Sequence, residues 1–219
     1  CIRDRYTAPR LSLGVNLYYM KYKDQLVPTG MVNDDSNALN TNVPDSYRRG
    51  VELSASWRAT GWFTVGANAT FSQNRIENYV DALKDSPTYG KELGDMTIAY
   101  SPDVIANAFL NFHHRGFEAV FHTQHVGKQY FTNNENDALS LDAYCVTNLN
   151  LAYTFRTRSA RSVRLGLLIN NLFNAEYESN GYGYSYMDTW SGPAPVRIDE
   201  AYYFPQAPLN VLANVTVKF

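Results

Sequence analysis

Val211-Leu212-Ala213-Asn214-Val215-Thr216-Val217-Lys218-Phe219 closes the chain, and its side chains alternate in character with a period of two. An extended backbone points successive side chains to opposite faces. Val211, Ala213, Val215, Val217 and Phe219 therefore share one apolar face, and Leu212, Asn214, Thr216 and Lys218 share the other. The pattern recurs upstream over similar lengths. In residues 11–25, Leu13, Val15, Leu17 and Tyr19 alternate with Ser12, Gly14, Asn16 and Tyr18; in residues 46–58, Val51, Leu53, Ala55 and Trp57 oppose Gly50, Glu52, Ser54 and Ser56. Residues 62–74, 104–113, 144–155 and 163–174 repeat it. Residues 117–130 start the same way with Phe117, Ala119 and Phe121, but Thr123 and His125 interrupt the face, which points to a bulge or an exit from the apolar layer. Together with the terminal segment these are eight strands, preceded by the tail of another strand that turns at Ala8-Pro9-Arg10.

Most of the eight exceed the roughly 5–6 residues usual in soluble sheets. They reach the roughly 9–11 residues that a tilted transmembrane strand needs. The connections alternate in size. Thr60-Gly61, Arg115-Gly116 and residues 156–162 are short, whereas residues 27–45, 75–103, 131–143 and 177–206 are long and polar. Short turns on one side and long loops on the other are the arrangement of an outer-membrane barrel. Tyr19, Tyr22, Tyr47, Trp57, Trp62, Phe63, Phe117, Tyr130, Tyr153 and Phe155 gather near strand ends, where amphipathic rings form girdles at the lipid boundary. The fold expected is all-β: a transmembrane antiparallel β-barrel. Asn16, Glu52, Asn68, Asn107, Asn148 and Asn150 face its lumen, and Gly14, Gly50 and Gly66 on that side look too small to fill a closed eight-stranded barrel.

Composition narrows the function. Aromatic residues make up 14% of the 219 residues, including 17 Tyr and 11 Phe, which excludes a disordered chain. No apolar run approaches the roughly 20 residues of a membrane helix. The net charge of -2 gives no basic surface for nucleic acid. Cys1 and Cys145 have no metal-ligand or redox spacing, and a bridge between them is left open. His122 and His125 fall on opposite faces by parity, and His113 and His114 are neighbours, so no metal pair is expected. No nucleophile motif is present, and no enzyme or cofactor is expected. Asp34-Asp35 and Asp81 with Asp85 have the chemistry of a loop calcium site, although carboxylates in loops are more often simply solvated.

Several stretches resemble the C-terminal part of a TonB-dependent outer-membrane receptor. Arg48-Arg49-Gly50-Val51-Glu52 is similar to the family's R-x-G-x-E strand start, and Asn171-Leu172-Phe173-Asn174-Ala175-Glu176-Tyr177 to the N-L-F-(D/N)-x-x-Y of its penultimate strand. Asn214-Val215-Thr216-Val217-Lys218-Phe219 resembles its terminal strand, and the run from Leu17 to Leu26 another strand and loop start. The wording of the strands is closest to receptors of Bacteroides-like bacteria. The resemblance implies about eight C-terminal strands of a barrel of about 22, with the plug domain and earlier strands outside this sequence. It further implies a cell outer-membrane location, uptake of a scarce nutrient such as a ferric siderophore, haem or cobalamin, and energy drawn from the TonB complex through the plug. It places residues 177–206 outside the cell, where Tyr177, Tyr182, Tyr184, Tyr186, Trp190, Tyr202 and Tyr203 are candidate ligand contacts, with Gly181, Gly183 and Gly192 lending flexibility and Arg197, Asp199 and Glu200 adding polar contacts. Val215, Val217 and Phe219 are the expected barrel-assembly signal. The competing reading is a self-closing eight-stranded barrel acting as an adhesin or anchor.

Overall fold

A computed structural model describes residues 1–33 and 37–219. Its strands are β1 (Ile2–Thr7), β2 (Leu11–Val32), β3 (Ala38–Arg58), β4 (Phe63–Ile76), β5 (Met96–Thr97), β6 (Val104–His114), β7 (Phe117–Val126), β8 (Gln129–Tyr130), β9 (Ser140–Leu141), β10 (Tyr144–Phe155), β11 (Ser162–Asn170), β12 (Glu178–Asp188), β13 (Val196–Pro205) and β14 (Asn210–Lys218). The main sheet runs β1-β2-β3-β4-β6-β7-β10-β11-β14 with every pair antiparallel, and β5 joins it beside β4. The eight expected strands and the expected tail are the members of that path. The sheet is open: among the described residues β1 and β14 are its edges and do not pair with each other.

Register explains the alternation. One cross-strand row links Leu11, Trp57, Val65, Leu110, Phe121, Leu149, Ile169 and Val211. The row enters at the first residue of β2, beside a short turn, and leaves near the start of β14, beside a long loop. That stagger is the shear of tilted barrel strands. The adjacent row, Ser12, Ser56, Gly66, Phe109, His122 and Asn148, belongs to the polar face. Leu17 and Leu165 on the apolar face are each 44% exposed. A protein folded in water would bury such a face, so this one meets lipid.

The polar face is stitched across strands. Asn16 donates to Glu52 at 2.9 Å and Asn107 to Asn68 at 3.1 Å. The R-x-G-x-E stretch has a plain physical meaning here. Arg48 donates to Asn74 and Ser101, Gly50 leaves room for the Tyr18 ring, and Glu52 accepts from Asn16. A Cβ at Gly66 would lie 2.2 Å from Phe109, so that glycine is likewise the socket of an aromatic ring. The small lumen residues are thus partly filled by neighbouring rings.

Four expectations change. Residues 27–45 are mostly a hairpin continued above the apolar band, because β2 runs to Val32 and β3 starts at Ala38. The interruption at Thr123 and His125 is no bulge: β7 keeps its register with β6 and β10 and then ends at Val126. The strand expected over 163–174 ends at Asn170, and the N-L-F-N segment is a turn with Asn171 and Asn174 at positive φ. Buried Asn171 ties that turn down, taking an acceptor from Asn148 and bonding Ala175 and Ala207, while Asn174 accepts from Leu209 at the approach to β14. Asp81 is buried and spends its carboxylate on Leu83, Ser86 and Thr88 of its own loop, which a satisfied turn residue does and a free cation ligand does not. Asp34 and Asp35 lie outside the described residues. Cys1 and Cys145 are both free and exposed, and His122 and His125 do face opposite sides.

The face assignment gives a direct contrast within β10. In the intact membrane protein, Leu149→Arg is expected to destabilise by about 2–4 kcal/mol, as a cation near mid-bilayer does. Its neighbour Asn150→Arg should stay within about 1 kcal/mol, since it points to the lumen. Denaturant unfolding in lipid measures both; equal losses would show the faces to be wrongly assigned.

Candidate functional site

Gly181-Tyr182-Gly183-Tyr184-Ser185-Tyr186 alternates small and large side chains, and this segment is strand, not flexible loop. β12 pairs with β13, setting Tyr182 opposite Tyr202, Tyr184 opposite Glu200 and Gly183 opposite Ala201. Period two sorts the hairpin into a tyrosine face and a small-residue face. The small face is the seat. A Cβ at Gly183 would stand 2.8 Å from Phe131 and 2.9 Å from Leu139, and one at Gly181 would stand 2.7 Å from Phe131. Phe131, Leu139 and Leu141, with Ala201 against them, form a buried cluster that carries the hairpin. Glycine serves here for close approach and not for the flexibility that sequence reading assigned to it.

The other face presents rings. Tyr182 stacks on Tyr202 with centroids 4.9 Å apart and planes 14° from parallel, and Phe204 lies 6.1 Å from Tyr182. Tyr184 is 6.4 Å from both Tyr186 and Tyr202. Glu200 organises them: its carboxylate accepts from Tyr184 at 2.6 Å, Tyr202 at 2.9 Å and Tyr186 at 3.1 Å. These hydroxyls, Tyr184 first, hold the Glu200 carboxyl below its ordinary value, and the same bonds push the three tyrosines up. On the seated face, Arg197 donates to Asp199 and Ser185, and Ser185 donates to Asp199.

The tyrosine face borders a cavity of about 440 Å³. Its far wall is Pro28, Gly30, Met31, Val32 and Leu39 from the upper parts of β2 and β3, and Tyr100 and Phe131, with Gly183 of β12, complete it. Of the seven candidate contacts, Tyr182, Tyr184, Tyr186 and Tyr202 are brought together. Tyr203 is on the opposite face, 5.8 Å from Phe131. Tyr177 packs against Tyr144 at 4.7 Å below the hairpin, and Trp190 stands 93% exposed at its tip. Sequence reading missed Phe204 and the wall on β2 and β3. Phe204 is legible from the alternation of β13, but Met31 and Leu39 carry no motif and reach the site only through the length of the β2–β3 hairpin. The arrangement suits contact with flat or apolar ligand surface, because its rings are rigid and half exposed while most of its hydroxyls are already engaged.

Comparison with known proteins gives one consistent result. The model of the family described as TonB dependent receptor-like, beta-barrel matches residues 2–172. The ferric yersiniabactin uptake receptor FyuA from Yersinia pestis superposes with a TM-score of 0.66 at 19% identity, over 98% of this chain and 28% of that one. The copper transporter OprC gives 0.65 at 19% over 96% and 29%, and BauA, the ferric preacinetobactin receptor from Acinetobacter baumannii, gives 0.65 at 13% over 98% and 28%. At these identities the likeness is one of fold, and the chain spans under a third of the length of each.

Seating through glycine is testable. Gly183→Val introduces overpacking worth about 1–3 kcal/mol, so amide exchange through β12 and β13 is expected to accelerate roughly tenfold, with exchange in β10 unchanged. Unaltered exchange in the hairpin would mean that it does not rest on Phe131 and Leu139.

Proposed function

This chain belongs to the TonB-dependent receptor β-barrel family, and from that premise we propose that it forms the C-terminal part of an outer-membrane receptor that imports a scarce nutrient. The ligand class is a compact chelate or macrocycle with flat or apolar surface, such as a ferric siderophore, haem or cobalamin. The observation that carries the reading is the tyrosine face of β12 and β13 over its cavity. It stands on the side of the long loops, it is rigid, and it offers ring surface that the fold itself leaves uncovered. The chain acts in binding and transport and not in catalysis. Its polar lumen face suits a plug domain and the remaining strands from the rest of the protein, and TonB would engage through that plug. A self-closing anchor or adhesin would need β1 paired with β14, and among the described residues these two strands are edges that do not pair with each other.

Substitution in the intact receptor tests this. Tyr184→Ala and Tyr202→Ala are each expected to weaken binding of the imported chelate by about 1–3 kcal/mol, the range of an aromatic contact at an interface, and Trp190→Ala by less. Binding is measured by titrating a panel of ferric siderophores, haem and cobalamin onto the purified receptor. No loss in any tyrosine variant for a chelate that the receptor binds would remove the hairpin from the site.

The terminal strand carries a separate proposal. Val215 and Val217 lie in register with Leu165 and Val163, and Phe219 follows the last strand residue with 93% of its surface exposed. We propose that these residues are read during barrel assembly. Phe219→Asp is then expected to lower the surface level of the receptor several-fold while leaving the unfolding midpoint of the inserted fraction unchanged; normal surface levels would contradict it.

A further inference from the structure

On the lipid-facing side, at the extracellular edge of the apolar band, a second depression of about 620 Å³ is built around Arg49. Its floor is Val51, Phe71 and Val104, which are consecutive partners across β3, β4 and β6. Arg49 stands at its upper rim. The guanidinium Nε and Nη2 both donate to Gln73 Oε1, at 2.9 and 2.6 Å, and the group lies 5.2 Å over the Tyr47 ring, which itself stacks on Tyr19. Gln73 is neutral, so the side chain is held in place without its charge being cancelled.

The neighbouring cations differ. One row higher on the same face, Lys21 pairs with Asp45 and Glu77, and Arg75 pairs with Glu135. Among the described residues Arg49 has no carboxylate partner, and the Nη1 side of its fork has no protein acceptor. Asp103, which also borders the depression, belongs to the alternate parity, since its carbonyl accepts from the polar-face Ser72. A fixed, uncancelled guanidinium with free N–H groups matches a phosphate, which it binds by a two-pronged contact. Immediately below it lies an apolar floor that faces the bilayer. One kind of molecule combines the two requirements.

We propose that this depression holds an outer-leaflet lipid, its phosphate on Arg49 and an acyl chain over Val51, Phe71 and Val104. The site is distinct from the hairpin and does not depend on which nutrient is imported. It gives the barrel a preferred lipid neighbour beside β3 and β4, and the upper part of β3 leads into the far wall of the ligand cavity.

The test uses the intact receptor in detergent, titrated with bisphosphorylated lipid A and followed by native mass spectrometry. Arg49→Gln is expected to lower the affinity about tenfold, the loss of a charge-assisted contact. Val104→Trp, which fills the floor and leaves the charge, is expected to give a loss of similar size. Lys21→Gln, at a cation already matched by carboxylates, should change affinity less than about twofold. Dephosphorylated lipid A should bind weakly and alike to the wild type and Arg49→Gln. The proposal is overturned if Arg49→Gln and Val104→Trp leave affinity unchanged, if Lys21→Gln matches Arg49→Gln, or if the dephosphorylated lipid binds as well. Competition by inorganic phosphate at the same concentration would also overturn it, since it would mark an anion site without a lipid.

Discussion

Backbone hydrogen bonding in hydrocarbon is the constraint from which the rest of this structure follows. An unpaired peptide group in a bilayer costs several kcal/mol, so strands crossing it stay in continuous register. The main sheet obeys this. Among the described residues its one register irregularity lies between Pro28 and Val32, where the β2–β3 hairpin has already left the apolar band. Positive φ angles at Arg115, Asn171 and Asn174 likewise fall at turns, and the one at Asp24 lies within β2 but beyond its apolar run from Leu13 to Tyr19. Fixed register turns a period of two in sequence into two chemically distinct faces. The apolar rows face lipid, and the polar rows are free to carry amides, carboxylates and imidazoles.

Within that frame glycine marks where something larger must fit. Gly50 receives Tyr18 and Gly66 receives Phe109, both on the lumen face, and Gly181 and Gly183 receive Phe131 under the hairpin. These contacts share a device: the missing Cβ lets an aromatic ring lie against backbone. The lumen face gains side-chain volume without bulky residues on every strand. The hairpin gains a seat that fixes which of its faces looks outward. Packing of the second kind links the fold to the site, because turning the hairpin over would bury the tyrosines and expose the glycines.

Much of the barrel was legible in the sequence because alternation over nine or more residues is a strong pattern once lipid takes the place of a buried core. What escaped was local. Residues 171–174 continue the apolar reading of β11 through Leu172 and Phe173, but Asn at both ends of the segment favours positive φ and side-chain bonding to nearby backbone, and the strand stops. The glycines of residues 181–186 suggest flexibility, but their alternation with tyrosine is itself a strand pattern with one face closely packed. The candidate site was legible only by half. Its tyrosines are in one hairpin, whereas the opposing wall depends on how far β2 and β3 run above the membrane, and Val27, Val43, Ile76, Tyr79 and Ile98, the buried cluster shared by the upper parts of β2, β3 and β4 and the loop after β4, come together only in three dimensions.

Glu200 bears on what the hairpin can recognise. A tyrosine usually offers both a ring and a hydroxyl donor. Here the donors of Tyr184, Tyr186 and Tyr202 are directed to one carboxylate, whose ionised form they favour. Protonation of Glu200 would remove that acceptor only as pH falls below its ordinary value of 4.5, so the network is intact across neutral conditions. What remains for a ligand is chiefly the faces of the rings, already ordered before it arrives. Recognition by a preformed ring surface costs little conformational entropy and rewards shape and polarisability more than hydrogen-bond pattern. On the proposed reading, such a surface would accept related chelates that share a flat or apolar exterior. On the same reading, sharper discrimination would have to come from groups that the hairpin does not supply.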